Sequence, residues 1–168
     1  MTSALSADAV AAFAKLDATL PRSCWWDSGV LKMVDQRELP AKFVVCDFTD
    51  AAAVAIAIRD MLVRGAPAIG AAAGFGMVLA ANASSAASVA ELYADLVRAK
   101  HALDASRPTA VNLMWATARL LALAAELARF GEISVQAARA KLLEEALALC
   151  EDDVALNKRI GMHGTAVK

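Results

Sequence analysis

Aromatic side chains are scarce. Phe, Trp and Tyr supply 5% of the 168 residues, although hydrophobic types supply 59%. Much of the apolar content is therefore alanine, the best intrinsic helix former, which favours closely packed helices over a broad sheet. Charge of neither sign dominates: 17 Lys and Arg face 18 Asp and Glu, for a net charge of −1. That balance gives no support to a nucleic-acid binder, which would show a basic stripe. Histidine occurs twice and cysteine three times, at Cys24, Cys46 and Cys150, with no CxxC spacing. This usage reads as reduced thiols of a cytoplasmic protein and gives no support to a zinc site. The N-terminal stretch lacks a basic segment followed by a continuous apolar core, so it is not a signal peptide.

What is present is a long uncharged run from Gly65 to Ala90. Mean hydropathy is +0.49, which makes a membrane reading worth testing. The run carries Pro67, three further glycines, Asn82 and a Ser84–Ser85 pair, and few large aliphatics. Alanine and glycine contribute little to membrane insertion, so a packed core helix is the preferred reading.

The length suits a single domain with a sizeable core. Residues 1–22 read as an N-terminal helix or extension, with Leu5, Val10, Phe13 and Leu16 on one face of 4–18. A small β part is expected over about 23–48: Trp25 and Trp26, an Asp27-Ser28-Gly29 turn, "VLKMV", and then "KFVVCDF". A helical part is expected over about 49–162. Thr49 or Asp50 caps a helix with Val54, Ile58, Met61 and Leu62 on one face, stopping near Arg64-Gly65. Pro67 opens the next helix. Val89–Leu103 follows, burying Leu92, Leu96 and Leu103. Pro108 or Thr109 opens a long helix to Phe130, with Val111, Met114, Trp115, Ala118 and Leu121 at core spacing and Gly131 as its C-cap. Ser134 caps a last helix with Leu142, Leu149 and Val154, running to about Ile160. The predicted fold is α+β, a small antiparallel sheet followed by a helical bundle, without the strand–helix alternation of a nucleotide-binding domain.

Two places share one design. Arg64-Gly65-Ala66-Pro67 and Ser106-Arg107-Pro108-Thr109 each set an arginine just before a helix start. A helix start presents free N–H groups and partial positive charge, and a guanidinium adds a fork of donors matched to phosphate. Gly65 lacks a Cβ, so a ligand can come close to the backbone. One phosphorylated ligand held between the two is the functional reading. The plainer reading of either arginine alone is that it caps a carbonyl or pairs with a carboxylate. Asn112 and Asp35-Gln36-Arg37 read as satisfied polar residues, Trp25, Trp26 and Trp115 as packing residues, and His101 as solvated. Cys46 reads as an inert small hydrophobe. His163, between Gly161 and Gly164, has no assigned role.

The segments "LKMVDQRELP", "AIRDMLVRGAPAIGAAAGFGMVLAA", "SRPTAVNLMWA" and "ALNKRIGMHG", in this order and spacing, resemble the methylthioribose-1-phosphate isomerases. That superfamily also contains the regulatory subunits of translation initiation factor 2B. The resemblance runs from about Trp25 to Gly164, and the RGAPAIG and SRPTAVNL pair is its specific part. It implies aldose 1-phosphate to ketose 1-phosphate isomerisation in methionine salvage, without metal or nucleotide cofactor. It implies substrate contacts from Arg64, Gly65, Ala66 and Arg107. It also implies that the catalytic cysteine and acid/base aspartate belong to a Rossmann-like C-terminal domain lying beyond this chain. None of Cys24, Cys46 and Cys150 matches the catalytic motif, and neither Asp152 nor Asp153 replaces the aspartate. The expected partners are a sugar phosphate, the C-terminal domain and, at full length, a second copy in a homodimer; nucleic acid and membrane are not expected. The alternatives are a non-catalytic initiation-factor-like subunit, an isomerase of another sugar 1-phosphate such as ribose 1,5-bisphosphate, and a self-standing helical binding domain.

Overall fold

The computed structural model describes residues 22–130 and 132–164. The expected helix at 4–18 and the Gly131 cap lie outside them. Three short strands, β1 (Cys24–Asp27), β2 (Val30–Val34) and β3 (Val45–Phe48), form an antiparallel sheet in the order β1-β2-β3. Ser28 and Gly29 both take positive φ, 49° and 94°, giving the two-residue turn whose twist suits a tight hairpin. Trp26 pairs with Leu31 across the first ladder, and Met33 with Cys46 across the second. Leu31 and Met33 are fully buried. Lys32, on the other face, reaches across to the Asp47 carboxylate at 2.9 and 3.0 Å.

Five helices follow: α1 (Ala51–Arg59), α2 (Ala66–Ala83), α3 (Val89–Ser106), α4 (Val111–Phe130) and α5 (Val135–Gly164). Asp50, rather than Thr49, caps α1 by accepting from Ala53 N–H at 2.8 Å. Ser88 caps α3 and Ser134 caps α5 in the same way. Helix α2 is the hub: it packs against the four other helices and against β1 and β2. The Phe75 ring stacks on Trp26 at 5.6 Å between centroids, tying the sheet to this helix. Its alanines and glycines are buried nearly all round. Two helices, α2 and α4, are long and apolar enough to cross a membrane by length and composition. Two thirds of α2, 67%, is nevertheless buried among its neighbours.

Four expectations need correction. Met61 does not belong to the buried face of α1. The helix ends at Arg59, Met61 takes φ 59°, and it is 43% exposed. Met61 N–H donates to the Ile58 carbonyl and Leu62 N–H to the Ala57 carbonyl, a helix-ending pair that leaves Met61 in the left-handed position and returns Leu62 to the core. Helix α4 starts at Val111, not at Pro108 or Thr109, because Arg107–Ala110 closes a turn, Ala110 N–H donating to the Arg107 carbonyl at 3.0 Å. Its buried face is also different: Leu113, Ala116, Thr117, Leu120 and Ala124. Val111 and Trp115 are 72% and 55% exposed. The helix offers two apolar stripes. The buried one is chosen by its small alanines, which admit the neighbouring helices, and by Thr117, whose hydroxyl donates to Asp104 and accepts from Lys100. The last helix runs on to Gly164, past Ile160.

Candidate functional site

Glycine spacing fixes how the helix starts meet. A β-carbon at Gly70 would lie 3.1 Å from the Asn112 carbonyl oxygen, and one at Gly74 would touch Leu120, Ala146 and Leu149. Gly70 and Gly74 thus face Asn112 and Leu120 in the same chain direction, so α2 and α4 run parallel. Helix α5 runs against them. The starts of α2 and α4 and the C-terminal half of α5 therefore share one end of the bundle. Arg64 stands just ahead of α2, as expected, whereas Arg107 caps the end of α3 and the turn to Ala110 separates it from the start of α4.

Around Arg64 the backbone is pinned. Its N–H donates to the Gln36 side-chain oxygen at 3.1 Å, and Gln36 N–H donates to the Leu62 carbonyl at 2.9 Å. Asp35, almost fully buried, accepts from the Arg37 N–H at 3.0 Å and from its guanidinium at 2.8 and 2.6 Å. Those hydrogen bonds hold the Asp35 carboxyl below its ordinary range against the opposing effect of burial, and the Arg64 charge adds to the shift. Asp35-Gln36-Arg37 is thus the buttress of the Arg64 turn. Sequence reasoning left its connection unseen, because 28 residues separate Gln36 from Arg64 and no local period links them.

Arg64 itself is exposed, and its Nε donates to the Met61 carbonyl at 3.2 Å. The carbonyl-capping role is therefore part of what this residue does. Gly65 takes φ 91° and has open space where a side chain would stand. Beyond it, the first turn of α2 leaves the Ala66 and Ala68 N–H groups without intrahelical partners, while Pro67 has none to leave. Arg107 is half-buried in the turn between α3 and α4, its backbone extended at φ −148°.

Two cavities open at this end. One, of about 390 Å³, is lined by Arg22, Cys24, Gly65, Pro67, Cys150 and Asp153 among others. The second, of about 280 Å³, is lined by Pro67, Gly70, Asn112, Trp115, Leu149 and Leu156, with Asp152 and Asp153. Pro67 and Asp153 belong to both walls. Arg64 and Arg107 line neither. Trp115 is thus no packing residue, and Asn112 faces a cavity; the apolar helical pattern around them concealed both.

The thiols are not activated. Burial pushes Cys24 up to about 12. It also raises Cys46, and it raises Cys150 although the Arg22 guanidinium 3.9 Å away opposes the shift. Thiols raised in this way are poor nucleophiles. His101 and His163 are both exposed.

The sequence pattern described as the initiation factor 2 subunit family matches residues 62–167. Methylthioribose-1-phosphate isomerase from Chloroflexus aurantiacus is 47% identical over 146 residues, 87% of this chain and 41% of the relative. The same-named protein from Roseiflexus sp. (strain RS-1) is 44% identical over 149 residues. The crystal structure of 5-methylthioribose 1-phosphate isomerase from Pyrococcus horikoshii OT3 is similar at a TM-score of 0.81 and 39% identity, over 89% of this chain and 41% of that one. The delta subunit of translation initiation factor eIF-2B from A. fulgidus is similar at a TM-score of 0.72 and 41% identity, over 80% of this chain and 38% of that one. The chain spans about two fifths of the length of these relatives. With the family's sequence pattern over most of its described residues, and with its fold shared by the two crystallised relatives, this chain belongs to the initiation factor 2 subunit family.

Proposed function

We propose that this chain is the phosphate-holding half of a methylthioribose-1-phosphate isomerase, in which Arg64, Gly65, Ala66 and Arg107 bind the substrate. The observation that carries the reading is the convergence of two helix starts at one end of the bundle, with Arg64 directly before α2 and Arg107 in the turn that leads into α4. Free N–H groups, dipole ends and guanidinium forks there favour an anion, and Gly65 opens the backbone to close approach. The names of the isomerase relatives supply the sugar phosphate. Converting an aldose 1-phosphate to its ketose moves hydrogen between C1 and C2, which needs a positioned acid/base and shielding from water. No thiol here is poised for that work, so the role of these residues is orientation and cover. The acid/base step falls to residues outside this chain, in keeping with the family resemblance.

Two measurements test this. Titration of the 168-residue chain with methylthioribose 1-phosphate should show binding, weakened roughly 10- to 100-fold by Arg107→Ala, the range for losing charge-assisted hydrogen bonds. The same chain should give no isomerase turnover. Robust turnover would remove the claim that the acid/base groups lie elsewhere, and unchanged affinity in Arg107→Ala would remove Arg107 from the site.

The second reading, a non-catalytic subunit like the initiation-factor relative, is favoured by the delta-subunit match. It predicts no binding of any sugar phosphate.

A further inference from the structure

We propose that the 280 Å³ cavity between α2, α4 and α5 receives the ribose and its apolar 5-substituent, and that Trp115 and Asp153 set the choice of that substituent. This rests on the phosphate-binding reading above and deepens it.

Position comes first. Pro67 is in the first turn of α2, where the phosphate would sit, and it is also part of the cavity wall. A ligand anchored on that turn therefore has the cavity beside it. The lining chemistry comes next. Leu149, Leu156 and Pro67 make apolar walls, and Trp115 leaves more than half of its surface free. The Arg119 guanidinium lies 5.5 Å from the Trp115 ring centroid, which holds the ring in place. An indole face with aliphatic walls suits a small, polarizable thioether. The Asn112 amide has no hydrogen-bond partner among the described residues, so it is free to bind a sugar hydroxyl.

Charge supplies the discrimination. Asp152 and Asp153 stand at the cavity, and Arg119 offsets Asp152 from 3.6 Å. Asp153 makes no ion pair among the described residues, Arg22 on the wall of the adjoining cavity being paired with Glu151 instead, so a second phosphate on C5 would meet a carboxylate in a partly closed space. Specificity of this kind comes from an attractive wall together with a repulsive one.

Calorimetric titration with 5-methylthioribose 1-phosphate, ribose 1-phosphate and ribose 1,5-bisphosphate tests the assignment. The methylthio compound should bind about tenfold tighter than ribose 1-phosphate, the worth of two buried methylene-sized groups. Trp115→Ala should bring that ratio close to one, and Trp115→Phe should keep most of it. Trp115 is largely exposed, so both variants should melt like the parent. Asp153→Asn should improve the bisphosphate several-fold more than it changes the binding of the other two ligands. Equal binding of all three ligands by the parent, or a ratio that survives Trp115→Ala, overturns the cavity assignment and leaves the phosphate site standing. Absence of binding by all three overturns the phosphate site, and this proposal with it.

Discussion

Asp35 shows how much of the site is held by residues that do not face a ligand. Its carboxylate accepts three hydrogen bonds from Arg37, and the next residue, Gln36, holds the Arg64 backbone. Because the folded-state value lies below the ordinary 3.8, the charged form stabilises the fold. That contribution is complete above the unfolded-state value, about 3.9, and is lost as pH falls through the lower folded value. Arg37 is half exposed, so solvent weakens the pair, and Asp35→Asn should cost about 1 kcal/mol at pH 7. The deficit should shrink as pH drops below about 4. Urea midpoints of parent and variant at pH 7 and pH 3 would check this; the same gap at both would show that the carboxylate charge is irrelevant.

At the scale of the element, the glycines of α2 separate by what surrounds them. A β-carbon at Gly74 would find ordinary contacts at 3.8–4.0 Å. Gly74→Ala should therefore stabilise by up to about 1 kcal/mol through helix propensity. The same change at Gly70 would press on the Asn112 backbone carbonyl at 3.1 Å, where nothing flexible can yield. Overpacking of about 1–3 kcal/mol should outweigh the propensity gain there. Thermal melts should move in opposite directions, by a few degrees each for a chain of this size. Movement in the same direction would mean that the approach of α2 to α4 is looser than drawn.

These helices also show where sequence reading succeeds and where it stops. Capping residues, breakers and strong β-formers act locally, so Asp50, Ser134, Pro67, the Ser28-Gly29 turn and the three strands were legible. The Arg64 placement was legible for the same reason, whereas Arg107 was expected at a helix start and instead caps the end of α3, because the Arg107–Ala110 turn delays α4 to Val111. Helix phase in α4 was not legible either: both its stripes are apolar, and only the neighbours α2 and α3 decide which is buried. Trp115 fell on the wrong side for that reason, and with it the cavity. Gln36 escaped because its partner Arg64 lies 28 residues on, beyond β3 and α1.

On the scale of the whole molecule, the composition of α2 and α4 invites a bilayer, and packing answers differently. Helix α2 is enclosed by four helices and the sheet, so inserting it would mean emptying the core of Phe75, Met77 and Leu79. Only 28% of α4 is buried, but it carries Arg119, Glu126 and Arg129. Arg119 sits near mid-helix in an ion pair with Glu145, and an arginine at that depth costs roughly 2.5–3.5 kcal/mol on an insertion scale. Neither helix gains by leaving the bundle. Phase separation in Triton X-114 should leave the chain in the aqueous phase, with a helical circular-dichroism spectrum before and after. Recovery from the detergent phase would mean that the apolar run from Gly65 to Ala90 packs against lipid, and the convergence of the two helix starts would then need another explanation.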